Sequence, residues 1–546
     1  SLWQDFDVFI NRTYAIDPVT LGVATFDGLD SSGFAYDLSQ NFSWGEADRL
    51  TSNPIDISIL DTVFLLFYYQ PQGIGDAPQY QDSLVLQFLD DSFTWSTVWS
   101  TAGKPLQQFK KKILIIDEDK YLHQDFQFRF KNYATLSGNY DHWHIDYVKL
   151  DEYINSSDTG MLNDVAFVYS HPPFLKRYRE MPWTHFKDNM EDELKDTLDI
   201  RINNFDITQT DNGVILDSAS IDYSYKVYEN QSLVHYFPGP NINSVRNYDV
   251  PLYNINGSYS PFPHIRIEDD IFLSNSFDSA SFFIQQVMKT NPDMNKQNDT
   301  LTHIQNFYSH FAYDDGTAES AYGINSTGSM GAMQFTLNRP DTLRAVQIYF
   351  PHMLNVVNNI DFYLTVWDDN SGQPGNIIYQ EKEQPVHTSK HKFQHYYIDS
   401  LFQLTGTFYV GWEQITNDLL NIGLDRNNPA NDYMFYNIGS GWSYSQFPGS
   451  WMIRPILSQY ELTLSIPDII NEMNIFPNPF IHVTNIVFSK QAERIIQLFD
   501  IHGNLLVSMQ RTDRVVHLYS GDLASGMYFL CVTSSDGVIS SRLIIQ

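Results

Sequence analysis

Short runs of alternating apolar and polar residues, each closed by a cluster of Gly, Asn, Asp or Pro, recur along nearly all of this 546-residue chain. "SLVLQFLDD", "FQFRFKN", "AVQIYFPH", "DFYLTVWDDNSGQPG" and "GTFYVGW" are representative. A period of two places every second side chain on one face of a pleated strand, so each run can bury one face and hydrate the other. Many short strands with frequent turn signals predict sandwiches. "DDNSGQPG" predicts a long polar hairpin connection. Helical periodicity is confined to "HFKDNMEDELKD", while "SFFIQQVMK" fits a helix or a strand. The predicted fold class is therefore all-β, a row of tandem β-sandwiches. An aromatic content of 15% with only 18% charged residues fits it, because aromatic side chains suit pleated surfaces.

A chain this long exceeds one hydrophobic core. Polar breaks at "DEYINSSDTG", "NPDMNKQNDT" and "LSIPDIINEMNIFPNPF" divide it into expected domains at 1–155, 176–295, 301–460 and 472–546. Acidic residues outnumber basic ones 65 to 33, a formal charge of −32, which repels nucleic acid and anionic membrane surfaces. The single cysteine, Cys531, allows neither an intrachain disulfide nor a cysteine metal site. No apolar run approaches ~18 residues, so no transmembrane segment is expected. The start at Ser1 suggests a removed upstream segment, such as an export signal, or a cloning boundary.

"GNYDHWHIDYVKLDEY" places His142, His144 and Asp146 on alternate positions, with Trp143, Ile145 and Tyr147 expected on the opposite, core-facing side. Two histidines with a carboxylate can hold zinc, yet catalytic zinc needs a further protein ligand and a nearby base. No HExxH motif or second His-acid cluster supplies them. A structural strand is the preferred reading, with Asp146 available to a calcium ion. GxSxG, P-loop and GxGxxG motifs are absent too, so no catalytic residues are expected and the chain is read as a non-enzyme. Paired carboxylates for glycoside hydrolysis can hide in so acidic a chain, which leaves a polysaccharide hydrolase as the less favoured option.

The tail runs from "FPNPF" through "TNIVFS", "IIQLFDIHGNLL" and "VVHLYSGDLASGMYFLCV" to "SSRLIIQ". In order and extent it resembles the type A C-terminal sorting domain of the Bacteroidota type IX secretion system, with Arg542 where the family often has Lys. The resemblance implies a small Ig-type sandwich, export across the outer membrane, and the secretion translocon and shuttle barrel as partners.

The first domain, through "GVATFDGLDSSGFAYD", "FTWSTVWSTAG" and "YDHWHIDYVKLDE", resembles MAM-like or lectin-like jelly rolls. That likeness implies a structural calcium at Asp146 with Asp27 or Asp30. The third domain resembles carbohydrate-binding-module sandwiches of surface proteins, and Asp314 and Asp315, with Glu319, are candidates for a second cation site. A solvated turn explains those carboxylates equally well. Trp367, Trp412, Trp442 and Trp451 can stack on sugars if exposed, although burial is the default for Trp. The loop "FPGPNINSVRNYDVPLYNINGSYSPFPH" is read as an insertion that packs over a sheet edge or binds a ligand. Asp-Ser/Thr triplets resemble the O-glycosylation signal of Bacteroidota exported proteins, implying glycans on Thr62, Ser83, Thr197, Ser218, Ser279, Thr300, Thr342 and Ser400. Ordinary turn chemistry at strand entries explains the same triplets.

The expected function is a non-catalytic surface or secreted binding and adhesion protein with a possible glycan ligand. The alternative is a surface subunit of, or cargo held by, an outer-membrane protein complex.

Overall fold

The structure is a computed structural model. It describes the chain apart from residues 1, 41, 153–163, 205–217, 239–245, 252–259, 267–270, 273, 275–278, 291–294, 352–359, 387–391, 458–472, 477–479, 481–482, 489–491, 501–504, 522, 525, 535–536 and 546. The fold is all-β, built from antiparallel sheets. Contacts divide the chain into one unit at 1–458 and a second at 459–546.

The N-terminal region is a sandwich. One sheet orders strands Phe9–Asn11, Val23–Phe26, Trp143–Glu152, Val63–Pro71 and Lys110–Ile116. The facing sheet orders Trp44–Thr51, Phe128–Thr135, Ser83–Leu89 and Trp95–Ala102. Leu65, Phe67, Leu84, Leu86, Phe130, Trp143 and Ile145 fill the space between them. Alternation supplies this core, since each of these residues is one of every second position in its strand.

Two sheets follow. One pairs Val165–Phe167, Thr197–Asn204 and Ser260–Arg266; the other joins Ser232–Phe237, Ser218–Glu229, Ala280–Lys289 and Thr300–Phe307, with Arg246–Pro251 also on Ser218–Glu229. The boundary expected between 295 and 301 instead falls inside a hairpin, because Val287 pairs with Thr300 and Ala280 with Phe307. A single buried cluster runs from Val165 to Leu457, so the two regions expected as separate domains share one core. Their union is favourable because burial scales with the apolar area removed from water. The expected inserted loop carries two strands, Arg246–Pro251 and Ser260–Arg266; residues 239–245 and 252–259 of it lie outside the described residues. "HFKDNMEDELKD" forms two short helices, Trp183–Asp188 and Met190–Glu193, broken at Asn189. "SFFIQQVMK" is a strand.

A six-stranded sheet orders Pro374–Glu383, Phe362–Asp369, Thr407–Gln414, Met330–Thr336, Met434–Asn437 and Trp442–Tyr444. The "DDNSGQPG" turn closes its first hairpin with Ser371 and Gly372 at φ 58° and 86°. The tail is a seven-stranded sandwich in its own unit, with sheets of three and four strands around Ile486, Leu498, Leu530 and Leu543.

Candidate functional site

His142, His144 and Asp146 share a face as expected, and the turn and loop segments around them cover it. The Nδ1 of His144 lies 2.9 Å from Thr25 Oγ1. Its Nε2 is buried beneath Gly73, where a Cβ would sit 2.4 Å away. His142 meets Asn139 Oδ1 at 2.5 Å and packs as closely under Gly75. Burial holds the His144 imidazole down at about 4, so it stays neutral. Asp146 accepts the amides of Val19 at 3.0 Å and Thr20 at 2.8 Å, and the Thr20 hydroxyl at 2.8 Å. Burial nevertheless pushes its carboxyl up to about 6. Asp146 thereby pins Val19 and Thr20 onto the sheet.

The expected core alternation fails at Tyr147. Its φ is 48°, and the register shifts between Leu66 and Tyr68 on the neighbouring strand. The bulge turns Tyr147 to the outer cluster of Val19, Val23 and Phe64, away from Trp143 and Ile145.

Asp27 and Asp30 do not join Asp146. Ala24 pairs with Ile145 and Phe26 with Trp143, which puts Asp27 about four residues, or about 13 Å, along the strand from Asp146. Asp27 accepts the Leu29 amide at 3.2 Å, and Asp30 closes its own turn by accepting the amides of Ser32 and Phe34.

Asp314 is committed to Arg454, whose Nε donates at 3.1 and 3.0 Å to its two oxygens. Asp315 accepts the Thr317 amide at 3.0 Å and Asn428 Nδ2 at 3.0 Å. Nearby Asp425 accepts the amides of Asp315 and Asn427, both at 2.7 Å. Burial, then Asp315, pushes Asp425 up to about 8. Burial, then Asp425, raises Glu319 as well. Donors point at these oxygens from several sides, the inverse of a cation shell. Among the described residues, no group of three or more His, Cys, Asp or Glu side chains is arranged to hold a metal.

Of the four named tryptophans, Trp367, Trp412 and Trp451 are buried and Trp442 is half-buried against Trp367. The triplet hydroxyl residues mostly begin strands: Ser83, Thr197, Ser218 and Thr300 are first residues, Thr62 and Ser279 precede one, and Thr342 is second. Thr197, Ser279, Thr300 and Ser400 are exposed; Thr62, Ser83 and Thr342 are half-buried. The side chain of Ser218 lies outside the described residues. The triplet aspartates serve locally: Asp341 meets His185 at 3.0 Å, and Asp82 accepts the Trp44 indole at 2.8 Å.

That last bond leads to a surface the motifs did not flag. On the outer face of the four-stranded sheet, Trp44 is 49% exposed and stacks on Tyr133 at 5.7 Å. Gln87 pairs with Thr97 across the strands, their side chains 3.1 Å apart, and Gln87 Oε1 accepts Arg129 Nε at 2.8 Å. Arg129 lies 4.3 Å over the Trp95 ring. Lys131 donates to Glu46 at 2.8 Å and to the Tyr133 hydroxyl at 3.0 Å. The result is a strip of mutually fixed hydrogen-bonding groups with an indole at each end, in which Gln87 and Lys131 are buried while Glu46, Thr97, Arg129 and Tyr133 reach solvent. Alternation could have flagged it, since Arg129, Lys131 and Tyr133 sit two apart and Gln87 and Thr97 share their face.

No curated protein sequence matches the chain. Among solved structures, PorZ, an essential bacterial surface component of the type-IX secretion system of Porphyromonas gingivalis, is 17% identical over 24% of this chain and 17% of its own, with a TM-score of 0.14. A non-crystalline cellulose specific carbohydrate-binding module, CBM28, is 11% identical over 28% of this chain and 87% of its own, at 0.18. The β-glucuronidase of Parabacteroides merdae is 11% identical over 55% of this chain and 31% of its own, at 0.23. Overlaps this slight carry no argument about ligands or chemistry. No described helix is long and apolar enough to cross a membrane. Residues 474–546 match the secretion system C-terminal sorting domain, and the chain thus carries at its C-terminus the domain that indicates type IX export to the cell surface or the extracellular space.

Proposed function

We propose that the protein is a non-catalytic glycan-binding protein of the cell surface, with the outer face of its N-terminal four-stranded sheet as the binding surface. The observation that carries this reading is Trp44. Its ring is held by Asp82, leaves about half its area to solvent, and borders polar side chains already fixed by one another. A saccharide needs that combination, an aromatic face for its C–H surface and preorganised donors and acceptors for its hydroxyls. The sorting domain then serves as the address, engaging the translocon and its shuttle barrel.

The test is retention of the full chain on a panel of immobilised neutral polysaccharides, alongside Trp44→Ala. Binding to at least one polysaccharide, weakened about tenfold or more by the substitution, is expected from loss of an aromatic anchor. Equal binding by the variant, or no binding across the panel, contradicts the reading.

A further inference from the structure

Arg12, Arg179 and Arg454 line one cleft of about 660 Å³ within the first unit. Its walls come from segments far apart in sequence: the end of the first strand, the stretch around Arg179, strand Thr300–Phe307 and the Asp314 loop.

The carboxylates in this cleft are already engaged. Asp314 is bound by Arg454, and Asp315 by Thr317 and Asn428. Glu180 meets His310 Nε2 at 2.9 Å and accepts Asn306 Nδ2 at 3.1 Å. Arg12 and Arg179, by contrast, have no hydrogen bond or ion pair through their guanidinium groups among the described residues. In formal charge the three arginines are matched by Glu180, Asp314 and Asp315, so what the cleft offers an anion is not a net positive charge but two guanidinium groups whose hydrogen-bonding edges are uncommitted.

Beside Arg179, His171 and His303 stack face to face at 4.8 Å with 6° between their planes. Burial, reinforced by Arg179, holds His303 down at about 4, so the pair adds a neutral polar wall. His303 Nε2 is buried without a hydrogen-bond partner. Elsewhere the wall is apolar and open, with Ile10 64%, Phe283 40% and Ile304 54% exposed.

Guanidinium groups recognise carboxylates and sulfates through paired, charge-assisted hydrogen bonds. Apolar side chains beside them offer a surface to a sugar ring. We propose that this cleft binds an anionic saccharide, with Arg12 and Arg179 taking a carboxylate or sulfate and Ile10, Phe283 and Ile304 covering the ring. The inference rests on the glycan-binding reading and adds to it a second site with a charge requirement.

The test is calorimetric titration of the full chain with three tetrasaccharides of equal length: neutral, glucuronate-containing and sulfated. The expected result is that one acidic tetrasaccharide binds about tenfold or more tighter than the neutral one, with affinity falling as salt rises. Which acid is preferred identifies the anionic group. Arg179→Ala should abolish the preference while Trp44→Ala leaves it intact. Arg12→Glu, on an exposed loop position, should also abolish it and covers the case in which Arg179→Ala misfolds. Neutral binding without an acid preference, or a preference that survives both arginine substitutions, overturns the cleft assignment alone. Failure of all three sugars to bind overturns the broader reading too. Sodium sulfate or glucuronate binding as tightly as the tetrasaccharide overturns the saccharide assignment.

Discussion

Arg454 holds Asp314 through its Nε at 3.1 and 3.0 Å, with the carboxylate fully buried and the guanidinium 4.2 Å over Phe393. The pair removes Asp314 from any cation site and leaves the neighbouring cleft to Arg12 and Arg179. Breaking a buried pair on one side strands a charge in a poorly solvated place. Arg454→Met should therefore destabilise the first unit by about 3–5 kcal/mol, and adding Asp314→Leu should recover much of the loss. Urea denaturation of the single and double variants checks this; equal midpoints for wild type and Arg454→Met would refute it.

Gly331 and Trp412 make a second stability prediction. They are paired across adjacent strands, and a Cβ on Gly331 would lie 2.3 Å from the indole. Trp412 is fully buried and meets Trp451 edge-on at 5.0 Å. Trp412→Ala should cost about 3–5 kcal/mol through lost burial and a cavity. Gly331→Ala should cost about 1–3 kcal/mol through overpacking. Thermal melts give both values, and sugar binding at the N-terminal sheet should be unchanged at temperatures where the variants remain folded.

Stability should fall as pH rises above about 6.5. Burial depresses His144 and His303 to about 4, so their contribution is complete above the ordinary histidine value and is lost as pH falls through about 4. Asp146 is raised to about 6 and Asp425 to about 8, with Glu319 raised as well. A raised carboxyl contributes stability that is present below its unfolded value and lost as pH rises through the folded one. The two sets oppose each other at mildly acidic pH, and above it the histidines no longer titrate while Asp425, at about 8, still loses stability. Asp425 alone should account for about 2 kcal/mol between pH 6.5 and 8. Denaturation midpoints across that range should decline for wild type and stay flatter for Asp425→Asn.

Asp82 should govern Trp44 without touching ligand. Its carboxylate accepts the indole at 2.8 Å and the Gln79 amide at 2.5 Å. Asp82→Ala frees the ring, and sugar affinity should drop about three- to tenfold, the net worth of one ordinary hydrogen bond. Fluorescence quenching by acrylamide should rise in the same variant if the ring is released; unchanged quenching and affinity would remove Asp82 from the account.

Strands were legible in the sequence because period-two alternation and turn residues act locally. The tail was legible because its succession of segments from "FPNPF" to "SSRLIIQ" resembles a known sorting domain, which residues 474–546 match. The boundary near 295 was not, because "NPDMNKQNDT" reads as a linker while its flanks pair as a hairpin from Ala280 to Phe307. Tyr147 was misplaced because its positive φ inverts the alternation within a strand whose composition gives no sign of it. The cleft was out of reach, since nothing local relates Arg12 to Arg179 or to His303. Trp44 was passed over because exposure depends on which sheets face each other, and that is settled by the whole core.

The most direct measurement is hydrogen–deuterium exchange of the full chain with and without a saturating neutral oligosaccharide chosen from the polysaccharide panel. The account predicts added protection on Trp44–Thr51, Ser83–Leu89, Trp95–Ala102 and Phe128–Thr135, the strands of the four-stranded sheet. Protection confined to other strands, or none at saturation, would contradict it.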